Sequence, residues 1–323
     1  MPALHAHPDL ITMPTLTVAF CTFNRADRLE KLIAALRAQS CPVPFEILAV
    51  NNNSPDNTLG VLAHLQCQPG APLRVVTETA PGIVPARNRA LAESLDRDIL
   101  VFMDDDELPQ PGLLDAAYDA IVNEGAECAG GRVEMDFTTI QRPSWLGDEL
   151  LGFLAAVDHG SEAFWITSAE TPIWTANVAY DMRLFRNDPT LRFDARFNRE
   201  GADIGGGEDA AMFQKMLRLR TRIRYRPEMS VVHAVESWRL KRRYFLKLHY
   251  RAGLREGHFS LPDYPKKVFG VPPFLVNQFY RQSLKTLMTF FRGQPQLIRQ
   301  AMNASNALGA IVGYRRRTYS GPP

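Results

Sequence analysis

Four consecutive acidic residues, Asp104, Asp105, Asp106 and Glu107, follow the apolar run Ile99–Met103. Carboxylates this close cannot all stay ionised without a counter-charge. A divalent cation is the simplest source, because hard cations take oxygen ligands. The competing use is local: one Asp would cap a helix opening at Pro109, Gln110, Pro111, Gly112 and Leu113. A cap needs one acid, so the run favours a metal or phosphate role. The apolar run before it is short and rich in β-branched and aromatic residues, which reads as a buried strand. Open α/β sheets bind ligands at such carboxyl ends.

Other polar groups fall at equivalent places. The stretch Cys21, Thr22, Phe23, Asn24, Arg25 and the stretch Asn51, Asn52, Asn53, Ser54, Pro55, Asp56 each end an apolar run. Their side chains can hydrogen-bond a base and ribose, and Arg25 can reach a phosphate. The same residue types also make turns for purely local reasons. Gly82 lets backbone approach a ligand, and Arg87 and Asn88 lie one helical turn further on. Gly205, Gly206 and Gly207 precede Glu208 and Asp209, which sit where a helix starts. Those acids serve as helix caps or as proton-transfer groups. His233 is either a structural histidine or a further ligand to a cation.

The elements that must hold these groups alternate from the start. Leu16–Cys21 reads as a strand, and a helix is expected from about Asp27 to Gln39 with Leu29, Leu32, Ile33 and Leu36 on one face. Strand Phe45–Val50, helix Thr58–Gln66, strand Leu73–Thr77, helix Val84–Leu95 and strand Ile99–Met103 follow. Repeated βα units imply an α/β fold with a mostly parallel sheet and helices on both faces. From about Cys128 the pattern turns irregular. It leads to the apolar run Ile173–Tyr180, a helix from about Asp209 to Arg220, and two short strands around Arg222–Arg226 and Ser230–His233. Beyond Trp238 the chain reads as helices broken by Pro262, Pro265, Pro272 and Pro273.

Composition narrows the classes. The 323 residues carry a formal net charge of only +2, but residues 221–323 hold 19 Lys/Arg against 4 Asp/Glu. An acidic body with a basic tail suits a phosphate-bearing ligand, nucleic acid or an anionic membrane. A solvated basic face is the plain alternative. None of the four cysteines stands at C-x-x-C spacing, which argues against zinc. No charged segment leads into an apolar signal region, and no apolar run reaches the roughly 18 residues needed to span a bilayer. Reduced thiols in the cytoplasm are expected.

Taken in order, these motifs resemble the family 2 glycosyltransferases over about residues 14–235. The pairing of Gly82-Ile83 and Ala86-Arg87-Asn88 with Asp104-Asp105-Asp106-Glu107 is similar to the branch that builds bacterial exopolysaccharides on lipid carriers. The resemblance implies the GT-A fold: residues 1–13 as an extension, 14–236 as the transferase domain and 237–323 as a basic helical region. It implies that Thr22, Asn24, Arg25, Asn51, Asn53, Arg87, Asp104 and Asp105 bind the nucleotide. Asn51 stands where the family usually has Asp, so a UDP-sugar is the expected donor with the base pocket altered. Asp106 and His233 would hold Mn²⁺ or Mg²⁺. Asp209 would be the catalytic base, with Glu208 orienting the acceptor, and Trp174 and Asn177 would line the acceptor and sugar. The implied partners are a nucleotide sugar and a glycan or polyprenyl-diphosphate-linked acceptor, not nucleic acid.

The basic C-terminal helices suit the anionic inner face of a membrane; packing on the catalytic domain or on another subunit is the alternative. Two rivals come from other classes. A nucleotidyltransferase would show a Gly-rich basic loop after the first strand, where this chain has Thr22, Phe23, Asn24 and Arg25. A non-catalytic carbohydrate- or nucleic-acid-binding protein would not need Asp209 or the acidic run.

Overall fold

The computed structural model of the chain describes residues 13–199, 204, 206–294 and 296–320. The expected extension 1–13 therefore lies outside the described residues except for Met13, as does Gly205 of the glycine run. Two compact units are present. The first comprises the described residues up to Glu134 with Val157–Asp194 and Met212–Val232; the second comprises Met135–Ala156, the described part of Ala195–Ala211, and the described chain from His233 on.

The first unit is built on a nine-stranded sheet. Its N-terminal part runs β1 (Leu16–Thr22), α1 (Leu29–Arg37), β2 (Phe45–Asn51), α2 (Thr58–Gln66), β3 (Leu73–Thr77), α3 (Ile83–Glu93) and β4 (Ile99–Asp104). These four strands are parallel, in the order β3-β2-β1-β4. The first two crossovers move outward on one side of β1; the third returns to its other side. The switch point thus falls between β1 and β4, where open α/β sheets leave a crevice at their carboxyl ends. Val18, Ala19, Phe20, Leu100, Val101 and Phe102 are buried, as strands covered on both faces require. On α1 the buried residues are Leu29, Leu32, Ile33 and Leu36, the face expected from their spacing.

The acidic run does not cap a helix. Asp105 and Asp106 form a turn into β5 (Glu107–Pro109), and α4 (Leu113–Tyr118) starts from Gly112 with no side-chain cap. Glu107 is buried and accepts a 3.1 Å hydrogen bond from the Asp104 backbone N–H, closing the turn.

The sheet continues from β4 through antiparallel β8 (Asn177–Asp181) to antiparallel β6 (Cys128–Asp136). The short β7 (Phe164–Ile166) pairs with β9 (Ile223–Ala234), and α5 (Arg183–Asn187) and the part of α6 (Glu208–Arg218) from Met212 on complete this half. Sequence suggested two short strands where β9 is one strand of 12 residues. Pro227 reads as a break, since it lacks an N–H. The strand nevertheless passes beside Gly131, whose missing side chain leaves room for the Arg226 and Met229 carbonyls.

The second unit holds α7 (Arg242–Arg255), α8 (Pro273–Phe291) and α9 (Leu297–Ser320). Glycines set the α7–α9 crossing. Added side chains at Gly253 and Gly257 would strike the Asn306 and Ala310 carbonyls; at Gly309 and Gly313 they would strike those of Tyr250 and Leu254. Two four-residue glycine spacings thus face one another and let the backbones touch. Leu146, Leu150, Leu154, Leu240, Phe245 and Met302 form this unit's main core. No helix among the described residues is long and apolar enough to cross a membrane.

Candidate active site

The register of the parallel strands fixes the first part of the site. Thr22 pairs with Asn51 across β1 and β2, and Cys21 pairs with Asp104 across β1 and β4. The expected nucleotide residues therefore stand in one row at the switch point. Asn24 and Asn53, just past their strands, adopt φ of +56° and +55°. Asn tolerates that left-handed conformation better than most residues. Ser54 laces the two loops: its Oγ accepts from the Asn24 N–H at 3.1 Å, and its own N–H donates to Asn51 Oδ1 at 3.1 Å. Asn51 is only 2% exposed, so its carbonyl, already used once, has one acceptor position left.

Arg87 projects from α3 and is 4% exposed. It donates to Asp104 Oδ1 at 2.9 Å, and its guanidinium lies 5.7 Å from the Phe193 ring centroid. Arg25 Nε lies 3.9 Å from Asp105 Oδ1. Two cations thus meet two carboxylates of the acidic row. Burial first, and then the neighbouring Asp106 carboxylate, push Asp105 up to about 7, while the Thr22 hydroxyl and Arg25 pull the other way. Burial likewise pushes the Cys21 thiol up to about 12, leaving it a poor nucleophile.

Two residues read from sequence as facing the ligand, Asn52 and Asn88, instead hold backbone. Asn52 donates to the Glu78 and Ala80 carbonyls at 3.0 and 2.7 Å and accepts from the Gly82 N–H at 2.8 Å. It ties the end of β2 to the loop that presents α3, and Gly82 takes up a φ of +114° there. Asn88, expected to point at the crevice, instead clamps the Phe193 backbone by two 2.9 Å hydrogen bonds. That holds Phe193 against Arg87. No local signal links positions 88 and 193, although an Asn–backbone clamp is a common way to fix a loop.

Asn177 lies opposite Met103, one residue before Asp104. Its amide nitrogen donates to the Arg132 and Met229 carbonyls at 3.0 and 2.7 Å, and its Oδ1 is buried without a hydrogen-bond partner among the described residues. Trp174 is part-buried, and its carbonyl accepts from the Asn177 N–H.

The remaining expected residues belong to the second unit. Glu208 and Asp209 form the first turn of α6, where the helix dipole favours carboxylates. Gly207 has φ of +109°, which favours glycine, and the Glu208 carboxylate folds back against Gly206. His233 is buried, and Arg239 lies 3.0 Å from its Nε2. A guanidinium only donates, so Nε2 accepts. Coordination through that nitrogen requires Arg239 to withdraw.

Among the described residues no three His, Cys, Asp or Glu side chains already converge as a metal cage. The chemistry of the acidic row still fits a hard cation: all its donors are carboxylate oxygens, and burial first, then the Asp106 charge, disfavours an ionised Asp105 without a counter-charge. A cation bound there would take part of its shell from ligand oxygens and water.

Residues 17–187 match the model for Glycosyl transferase family 2. The chain belongs to this family. Its relatives include glycosyltransferase AglE of Haloferax volcanii, 27% identical over 127 residues, which cover 39% of this chain and 41% of AglE. The chain thus matches well under half of that relative's length. Among solved structures, the mannosyltransferase PcManGT from Pyrobaculum calidifontis, in complex with GDP-Man and Mn²⁺, aligns with a TM-score of 0.54 at 19% identity, covering 98% of this chain and 79% of that one. S. aureus TarS 1-349 in complex with UDP-GlcNAc aligns with a TM-score of 0.54 at 17% identity, covering 95% and 91%. At these identities the likeness concerns the fold, which is the GT-A one expected for the family.

Proposed function

We propose that the chain transfers a sugar, with inversion, from a nucleoside-diphosphate sugar to a hydroxyl of a glycan or lipid-linked saccharide, in bacterial polysaccharide assembly. One observation carries the reading: Arg87 meets Asp104 and Arg25 meets Asp105 at the switch point between β1 and β4, with Asp106 next in the acidic row. Thr22, Asn24, Asn51 and Asn53 supply the polar rim for base and ribose. The structures of similar fold that hold GDP-Man and UDP-GlcNAc support a nucleotide sugar as donor. UDP is our assignment of the base, with the remaining acceptor position of Asn51 on the uracil imide N–H.

Arg87 and Arg25 act as fixed charges on the diphosphate as it leaves. Asp106 is the carboxylate we assign to Mn²⁺ or Mg²⁺, which when bound supplies Lewis-acid stabilisation of the diphosphate; His233 is a second ligand once released from Arg239. The acceptor oxygen bonds to the anomeric carbon as the carbon–oxygen bond to the diphosphate breaks, and Asp209 takes the hydroxyl proton. Glu208 orients the acceptor, with Trp174 and Asn177 on the sugar side. A screen of UDP-, GDP- and TDP-sugars for Mn²⁺-dependent thermal stabilisation tests the reading. A UDP-sugar should stabilise most; a preference for GDP would reassign the base pocket, and no response to any of them would overturn the donor reading.

A further inference from the structure

The chain beyond Asp263 contains nine Lys/Arg and no Asp/Glu. Helix α8 lies within it and is covered on one side only. Of its apolar side chains Leu275 alone is buried. On the open side Val276, Tyr280, Leu284, Leu287 and Phe291 recur every three or four residues, a continuous helical stripe. Tyr280 is 65% exposed and Phe291 77%. Exposed Arg281, Lys285 and Arg292 each follow a stripe residue by one position, forming a parallel cationic row. Just before the helix, Val268 and Val271 exchange backbone hydrogen bonds of 2.9 and 3.1 Å across a tight turn. That turn presents Phe269, 92% exposed, with φ of +51°. An apolar groove of about 430 Å³, lined by Leu287, Phe290, Leu297 and Ala301 among others, opens beside the stripe.

We infer that this face of α8, with the Phe269 turn, docks on an anionic lipid bilayer. Its charge decides between possible covers. A second copy seated by two-fold symmetry would bring the cationic row against itself, and this segment has no acid to answer it. Anionic headgroups neutralise the row while the stripe enters the acyl boundary, the arrangement that holds amphipathic helices at interfaces. The groove can then take part of one acyl chain. This inference needs nothing from the nucleotide reading, so the two can fail separately.

Flotation of the full chain with phosphatidylglycerol/phosphatidylcholine vesicles, and with phosphatidylcholine alone, tests it. The chain should float with the anionic vesicles and far less with the neutral ones. Combined Arg281→Gln, Lys285→Gln and Arg292→Gln should weaken binding by about fivefold per charge removed. Combined Tyr280→Ser, Leu287→Ser and Phe291→Ser should abolish it at any salt. All six side chains are exposed, so the helical circular dichroism and its melting should persist in both variants and report that they fold. No flotation, equal flotation with neutral vesicles, or unchanged flotation of folded variants would overturn the inference. So would light scattering showing that the serine variant converts a dimer to a monomer without altering flotation.

Discussion

Arg87 on α3 donates a 2.9 Å hydrogen bond to Asp104 at the end of β4. The pair couples the helix that returns across the sheet to the strand that carries the acidic row. Phe193, clamped by Asn88, backs the guanidinium on its other side. Arg87 is therefore aimed before any ligand arrives.

Replacing Arg87 by Met should weaken nucleotide binding and lower stability. Asp104 is 36% exposed, so water offsets part of the lost pair. A loss of about 2 kcal/mol in urea unfolding is expected. Stability and affinity both at the wild-type level would remove Arg87 from the positioning role.

Asn52→Ala removes three hydrogen bonds around the loop before α3. A loss of about 2–3 kcal/mol is expected, with weaker nucleotide binding because Arg87 starts one turn further on. Unchanged unfolding would mean the loop is held elsewhere.

Asp209→Asn should leave nucleotide affinity nearly intact and slow transfer by about 10²–10⁴-fold, the usual range for a lost general base. Steady-state kinetics beside a binding titration would show it. Near-normal turnover would take the base role from Asp209.

Gly253→Val should force α7 and α9 apart, since the new side chain meets the Asn306 carbonyl. Overpacking costs about 1–3 kcal/mol, and more against backbone. Helical circular dichroism should melt at lower temperature, while Asn277→Ala on the exposed side of α8 should change little. Equal melting of both variants would contradict the seam.

The parallel half of the fold was legible because short apolar runs alternate with helical periods; α2 and β3 fall on the residues that pattern indicates. The second half was less so. Pro227 disguised β9, whose backbone packs against Gly131 from nearly a hundred residues away. The glycine seam of α7 and α9 went unread, because two four-residue glycine spacings signal a contact only once their tertiary pairing is known. In the site, Thr22, Arg25, Arg87 and the acidic row converge as residue type and strand position imply. Asn52 and Asn88 show the limit: an amide in a loop serves ligand or backbone equally well, and only the partner distinguishes them.

The central claim is that the acidic row holds a nucleoside diphosphate through a divalent cation at Asp106. Calorimetric titration of UDP with Mn²⁺ present, with chelator present, and into Asp106→Ala tests it most directly. Binding should need Mn²⁺ and be lost in the variant. Equal affinity in all three titrations would contradict it.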